Sequence, residues 1–133
     1  MRSPATTRMR LGAVLFAFLV LSVAALPALG HSDKQTCRAG NCRQLCTPVS
    51  PKCKAGCRGG NCVQTCRSPS CKFKCRGGNC TQICHSGSRC KFGCRGGNCA
   101  QVCHSGSECK LKCRGGLCRP DCKPGSRCTI KGR

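Results

Sequence analysis

The chain has 133 residues, of which 20 are cysteine and none is tryptophan or tyrosine, and its formal net charge is +21. After residue 30, large apolar side chains are scarce. This scarcity excludes a domain held together by hydrophobic burial alone, because such burial could not offset the conformational entropy lost on folding. The three acidic residues are unpaired in the sequence and no Ser–His–acid set can be assembled, so we expect that the protein is not an enzyme.

Residues 1–30 have the three parts of a secretory signal peptide. Three arginines precede the apolar run LGAVLFAFLVLSVAALPALG, and the small residues Ala28 and Gly30 precede the predicted cleavage site. A transmembrane anchor is the alternative, since the run is close to the length that crosses a bilayer. The internal proline and the small-residue exit favour the signal peptide, so we expect a secreted, extracellular protein. Removal of the three arginines lowers the formal net charge from +21 to +18.

The cysteines follow the predicted signal peptide and divide into five units of four, each with the spacing C-x4-C-x3-C-x(4–6)-C. A short segment, 31–36, precedes the units and a tail, 129–133, follows them. Such a cysteine content in a short secreted chain is typical of a disulfide scaffold. The units are 37–53, 57–71, 75–90, 94–109 and 113–128, and the cysteines are Cys37, Cys42, Cys46, Cys53, Cys57, Cys62, Cys66, Cys71, Cys75, Cys80, Cys84, Cys90, Cys94, Cys99, Cys103, Cys109, Cys113, Cys118, Cys122 and Cys128.

Four cysteines allow each unit to close on itself with two disulfides, in one of three pairings. A helical turn over the NCxQxC segment would place its two cysteines on one side, and the asparagine before it would cap that turn. This geometry favours pairing the first cysteine with the third and the second with the fourth. The 1–4, 2–3 pairing is the competitor, and pairing between neighbouring units stays open.

The remaining segments read as turns. The Gly-Gly pair of CRGGNC supplies the positive φ that a tight loop between two cysteines needs, and the Ser/Gly/Pro stretches before each fourth cysteine are also turns. Since no segment between cysteines is long enough for a regular helix or a sizeable sheet, we predict a small disulfide-rich fold. It would be a loop-dominated tandem array with little regular secondary structure, and minimal strands at the Lys-Phe-Lys junctions. The fifth unit is atypical, with Leu117 and Pro120-Asp121 in place of the recurring Asn and Gln pattern.

Several functions can be set aside on spacing. Metal–thiolate sites favour C-x-C or C-x-x-C, and neither spacing occurs, so we expect no metal and no cofactor. The RGG triplets resemble those of RNA-binding segments, but here they are pinned between cysteines and lack aromatic partners for base stacking, which predicts no specific nucleic-acid binding. His85 and His104 recur in HSGS turns and are interpreted as solvated, with a pH-dependent charge as the sharper alternative.

The basic residues are the positive functional signal, because acids would have kept a coreless chain equally soluble. One arginine follows the first cysteine of every unit, and lysines fill the three-residue junctions, three of which have a central Phe or Leu. Repetition of the unit would make these a multivalent cationic surface with small apolar points. The predicted polyanion-binding residues are Arg38, Arg58, Arg76, Arg95, Arg114, Lys54, Lys72, Lys74, Lys91, Lys110 and Lys112.

In composition and in its predicted leader, the chain resembles cationic, cysteine-rich secreted peptides of the defensin and toxin kind. We therefore expect a secreted cationic repeat protein that binds anionic surfaces, foremost an antimicrobial host-defence protein that binds microbial membranes electrostatically. An extracellular matrix or coat protein that binds glycosaminoglycan or acidic matrix is the alternative, and a toxin-like peptide is a further one. The sequence makes no prediction of the oligomeric state.

Overall fold

The computed structural model describes residues 32–132, so the predicted signal peptide, residues 1–30, lies outside the described residues. None of the described residues forms a helix long and apolar enough to span a bilayer. Instead they form eleven short strands. The strands are β1 (Ser32–Cys37), β2 (Arg43–Cys46), β3 (Lys52–Cys57), β4 (Val63–Cys66), β5 (Ser70–Cys75), β6 (Thr81–Cys84), β7 (Arg89–Cys94), β8 (Ala100–Cys103), β9 (Glu108–Cys113), β10 (Arg119–Cys122) and β11 (Arg127–Lys131).

The strands build two parallel sheets. Odd-numbered strands form a six-stranded sheet in the order β1-β3-β5-β7-β9-β11, and even-numbered strands form a five-stranded sheet in the order β10-β8-β6-β4-β2. Each turn of the chain adds one strand to each sheet, so the molecule is a β-solenoid of about five turns.

The prediction of a loop-dominated array with little regular secondary structure is therefore wrong. A strand of four to six residues is too short to make a sheet within its own unit, but here its hydrogen bonds go to the equivalent strand of the next turn. The nearly constant repeat length brings equivalent residues into register, so that Cys57 pairs with Cys37 on one side and with Cys75 on the other. Strand length did not limit the sheets, because they grow along the stack.

The disulfides join the two sheets at both ends of every turn. In each unit the first cysteine is bonded to the second and the third to the fourth, so the favoured 1–3, 2–4 pairing and its 1–4, 2–3 competitor are both wrong. The residues between the second and third cysteines form a strand instead of a helical turn, and each cysteine meets the one across its adjoining corner. The bonds are Cys37–Cys42, Cys46–Cys53, Cys57–Cys62, Cys66–Cys71, Cys75–Cys80, Cys84–Cys90, Cys94–Cys99, Cys103–Cys109, Cys113–Cys118 and Cys122–Cys128.

The interior is a stack of these disulfides with one apolar side chain per turn between them. Ala55, Phe73, Phe92 and Leu111 occupy one register column of the six-stranded sheet and are all at most 3% exposed. The rings of Phe73 and Phe92 stack with their centroids 5.3 Å apart. Most of the remaining core is cystine sulfur, so covalent bonds and sulfur packing replace the large apolar side chains that the sequence lacks.

A ladder of glutamine side chains fills the space opposite the apolar column. Gln101 donates from Nε2 to Oε1 of Gln82 at 2.9 Å, Gln82 donates to Gln64 at 2.8 Å, and Gln64 donates to Gln44 at 2.8 Å. All four are at most 5% exposed. Each turn therefore satisfies the buried amide of its neighbour, which removes the penalty of burying an unpaired polar group.

The Gly-Gly corners are shaped by close stacking as well as by φ. Positive φ was predicted for the Gly-Gly pair, and the second glycine of each pair has it, with Gly78 at 80°. The first glycine is needed for a different reason, because a Cβ on Gly77 would lie 2.4 Å from the backbone nitrogen of Gly60 in the preceding turn. Ala39 occupies this position in the first unit, and within residues 32–132 no turn precedes its corner.

The asparagine of CRGGNC does not cap a helix. Asn61 has φ of 53°, in the left-handed region that asparagine tolerates better than most residues, and its N–H donates to the carbonyl of Gly78 at 3.0 Å. Leu117 adopts a φ of 45° at the same position in the last unit. The asparagines thus turn the corner and join it to the next turn, and this correction follows from the strand that replaces the predicted helical turn.

The fifth unit ends the five-stranded sheet. Pro120 is in register with Gln101 and interrupts the glutamine ladder, and it lies in the edge strand β10. Proline lacks the backbone donor that a further strand would need, and natural sheets use it to block edge-to-edge pairing. The departures of this unit from the repeat are therefore consistent with the end of an array.

Substitution of Gly77 by alanine tests the close stacking of corners. The added Cβ would clash with the backbone of Gly60, so we expect destabilisation by about 1–3 kcal/mol, as for an overpacked core, measured as a lower denaturation midpoint of the oxidised protein. Gly56→Ala is the matched control, because its Cβ would meet nothing within 4 Å. Equal midpoints for the two variants would contradict the stacking account.

The glutamine ladder is tested by Gln82→Leu, which keeps the side-chain size. This change leaves a donor of Gln101 and an acceptor of Gln64 without partners, at about 1–3 kcal/mol for each buried group. We expect faster amide hydrogen exchange in β4, β6 and β8 and a lower denaturation midpoint. Thr81→Val, on the outward side of the same strand, removes a polar group without touching the ladder and should have little effect on either measurement.

Candidate anion-binding face

The outward face of the six-stranded sheet carries a row of lysines. Strand residues alternate between the two sides of a sheet, and the parallel register aligns Lys34, Lys54, Lys72, Lys91 and Lys110 in one column, each exposed to solvent. Neighbouring strands are about 4.8 Å apart, so five positive charges follow one another along the solenoid axis. Four of these lysines were predicted from the sequence as polyanion-binding residues, and the register brings them together.

Lys34 was missed because it lies in the segment before the first unit. It stands three residues before Cys37, just as Lys54 stands three residues before Cys57. That shared offset could have identified Lys34 from the sequence as a member of the lysine row. The structure makes the segment part of β1 and so extends the row by one residue.

The outward side of the six-stranded sheet, which carries the lysine row, is called the cationic face. Two further columns of basic residues run beside the row. Lys74 and Lys112, both predicted, share a column with Lys131, which was not. The predicted arginines form the next column, because the backbone hydrogen bonds continue one residue beyond the strands, as from Arg58 N–H to the carbonyl of Cys37 at 2.9 Å. These exposed arginines are Arg38, Arg58, Arg76, Arg95 and Arg114.

Negative charge does little to neutralise the cationic face. Glu108 lies in a fourth column, on the other side of the lysine row, and its Oε2 is 3.5 Å from Nε of Arg89 in the same column. Asp121 lies on the five-stranded sheet and pairs with Lys123 at 2.7 Å. Asp33 is half-buried and accepts a hydrogen bond from Ser50 Oγ at 3.2 Å. The three acids of the sequence therefore leave the lysine row and the arginine column unpaired by carboxylates.

The apolar residues of the junctions do not reach this face. Phe73, Phe92 and Leu111 were expected as small apolar points on the surface, but they are at most 2% exposed. Strand alternation turns them inward when the flanking lysines turn outward. Among residues 32–132, the outward positions of this sheet carry charged side chains, serine, threonine or glycine and no large apolar group.

The opposite face of the solenoid has a different character. The outward columns of the five-stranded sheet contain mostly apolar and hydroxyl side chains, such as Val63, Thr81 and Ala100 in one column and Ile83 and Val102 in the other. Charged residues occur there at the two edge strands, where they are Arg43, Arg119 and Asp121. The positive charge of the lysine row thus belongs to one side of the molecule.

The two histidines stack at one corner of the solenoid. The ring centroids of His85 and His104 are 5.0 Å apart and nearly parallel, and the backbone ladder places Arg67 on the turn before them and Lys123 on the turn after. The pKa of His85 is lowered from its usual 6.5, first by partial burial and then by the charges of His104 and Arg67. The stack lies at a corner and not within the lysine row.

Clusters of sulfur atoms occur in the core but are not thiolate sites. The sulfurs of Cys57, Cys75 and Cys80 lie within 4.8 Å of one another, which is a separation that could suit a metal ion. Each belongs to a disulfide, and no cysteine of residues 32–132 is free. Thiolates are the form of cysteine that binds metals, so the oxidised molecule does not offer these sulfurs as ligands.

Two depressions interrupt the cationic face. The larger has a volume of about 430 Å³, extends from β5 to β11 and includes the open space over Gly93, between Lys74 and Lys112. The smaller has a volume of about 140 Å³ and lies over Gly56, between Thr36 and Lys74. Both are bordered by arginines of the neighbouring column.

Comparison with protein families, with curated proteins and with solved structures finds no match for this chain.

The histidine stack predicts how stability depends on pH. The unfolded chain binds a proton at His85 more tightly than the folded chain, so stability decreases as the pH falls below about 6.5, until folded His85 is itself protonated. NMR titration of the imidazole signals should show His85 titrating below 6.5. Arg67→Gln should raise that pKa, whereas Arg43→Gln, on another face, should leave it unchanged. Identical titration of His85 in all three proteins would contradict the assigned role of Arg67.

Proposed function

We propose that the protein is secreted and binds extended anionic surfaces or polymers through its cationic face, without catalysing a reaction. The observation that carries this proposal is the column of five exposed lysines spaced by one strand, Lys34 to Lys110. A regular array of one charge sign on a cross-linked sheet adds many weak contacts to one ligand, and linked contacts raise avidity far above that of a single pair.

The ten disulfides support the extracellular part of the proposal, because disulfides persist in oxidising compartments. They also preorganise the array. The four lysines of the row that follow Lys34 each lie between a disulfide-bonded cysteine and a buried apolar residue, so their backbone loses little freedom when the ligand binds.

The burial of the aromatic residues bears on which anionic partner the face suits best. Host defence through binding to microbial membranes was the leading expectation, and stable membrane binding normally combines electrostatic attraction with buried apolar area. The cationic face supplies the first without the second. An acidic polysaccharide, the partner of the matrix or coat alternative, requires charge and hydroxyl contacts alone, so the geometry favours it over the lipid bilayer and over a toxin-like target.

The lysine row is tested by replacing Lys72, Lys91 and Lys110 with glutamine. Exposed ion pairs contribute about 0.2–1 kcal/mol each, so loss of three should weaken binding to immobilised heparin roughly tenfold and reduce its dependence on salt. Arg43, Arg67 and Arg119, all exposed and outside the cationic face, are replaced by glutamine in the matched control. The control has the same net charge as the triple lysine variant, and it should bind heparin nearly as tightly as the unaltered protein does.

Equal weakening in the two triple variants would show that net charge alone controls binding and would contradict the proposal.

Vesicles of phosphatidylglycerol, compared with phosphatidylcholine vesicles, distinguish the polysaccharide-binding role from the membrane-active role. We expect binding to the anionic vesicles that is lost at high salt and causes no leakage of their contents. Leakage at low protein concentration would overturn our preference for the polysaccharide and restore the membrane-active role.

A further inference from the structure

One column of the cationic face alternates between glycine and lysine. The register aligns Thr36, Gly56, Lys74, Gly93 and Lys112 in successive strands of the six-stranded sheet. The two depressions described above lie over the two glycines. The missing side chains therefore create gaps in a row that is otherwise filled.

The fold does not need these two glycines. Gly56 and Gly93 do not have the positive φ found at the corner glycines. A Cβ on Gly56 would meet nothing within 4 Å, and one on Gly93 would come no closer than 3.8 Å to the carbonyl oxygen of Phe73. Glycine weakens a strand by about 0.5–1 kcal/mol relative to alanine, so these positions lose some stability and gain open space.

Each gap is surrounded by positive charge. The gap over Gly93 has Lys74 and Lys112 on the two adjacent strands, Lys91 on its own strand and Arg95 just beyond the strand end. The gap over Gly56 lies beside Lys74, Arg58 and Arg76. A carboxylate or sulfate group in such a gap would accept charge-assisted hydrogen bonds from several directions, which are stronger than those between neutral groups.

The spacing of the gaps constrains the ligand. Gly56 and Gly93 are separated by one intervening strand, which places the gaps about 9.5 Å apart along the solenoid axis. This distance is close to the length of an extended disaccharide. Lys74 lies between the two gaps and borders both, so a linear ligand that fills both would cross over it.

We propose that the two gaps are seats for the anionic groups of a linear acidic polysaccharide with one such group in each disaccharide, aligned with the solenoid axis. This inference rests on the proposed function of the cationic face and assigns its ligand class. Hydroxyls of the same face, such as those of Thr36 and Ser70, are available to the sugar hydroxyls. Lipid headgroups move laterally and do not need seats at a fixed distance. Single-stranded nucleic acids bind largely by stacking on aromatic side chains. Among residues 32–132, Phe73 and Phe92 are buried and the two histidines lie at a corner, so none is presented on the cationic face.

The test fills a seat without changing the charge. Gly93→Thr places a strand-favouring polar side chain into the larger gap, and Ala100→Thr, on the outward side of the five-stranded sheet, is its matched control. The probe is a hyaluronan hexasaccharide, which has one carboxylate in each disaccharide, and binding is measured by calorimetry with the oxidised protein. We expect Gly93→Thr to weaken binding about tenfold, the equivalent of one charge-assisted hydrogen bond, and Ala100→Thr to leave it unchanged.

The outcomes separate this inference from the proposed function. If Gly93→Thr binds the hexasaccharide as the unaltered protein does while the triple lysine variant binds weakly, the seats are wrong and the cationic face stands. If neither change affects binding, both proposals fail. If filling the seat weakens binding to phosphatidylglycerol vesicles as much as binding to the hexasaccharide, the assignment to a polysaccharide is overturned. Thermal denaturation of each variant verifies that the fold is retained, and the open space at Gly93 predicts that it is.

Discussion

The disulfides across each corner are the constraint on which the rest of this structure depends. A turn of the solenoid contributes one apolar side chain and one glutamine to the interior between its two strands, and neither could hold two sheets together. The bonds from Cys57 to Cys62 and from Cys66 to Cys71 fix the width of a turn at both ends. Once every turn has the same width, its backbone can pair with the next turn, and Phe73 can stack on Phe92 and Gln82 on Gln64.

Stacking of identical turns converts a property of the repeat into a property of a surface. A lysine three residues before a cysteine is a local feature of one unit. Parallel pairing in register places its copies in a single row at the spacing of strands in a sheet. The same pairing turns the apolar residues of the junctions inward, so the face keeps its charge and loses the insertion points that the sequence suggested. The alignment of the lysines and the burial of the apolar residues therefore have one cause, which is the in-register pairing of repeats of nearly constant length.

The exceptions to the repeat are informative for the same reason. Ala39 replaces a glycine at the first corner of the described residues, and Pro120 replaces a glutamine where the five-stranded sheet ends. Gly56 and Gly93 differ from these, because neither the backbone conformation nor a close contact requires them. The corner glycines serve the stack, whereas these two leave room on its surface.

Local chemistry accounts for what could be predicted from the sequence. The five units, the cross-linking of their cysteines and a positive φ within the Gly-Gly pair followed from residue type and spacing. The helical turn over NCxQxC was the central error. Its two cysteines, four residues apart, suit one face of a helix as well as they suit one side of a strand with a glutamine between them. That ambiguity led to the wrong pairing of the cysteines and to the capping role for asparagine.

The sequence by itself determined the repeat, the need for covalent cross-links and the excess of positive charge, because these depend on composition and spacing alone. The tertiary structure decided which cysteines pair, which side of each strand faces the core and which lysines share a row. Those features depend on hydrogen bonds between strands that lie one whole turn apart in the chain. A short segment cannot reveal whether such a partner exists, since the same residues without a neighbouring turn would have been the loops that the sequence suggested.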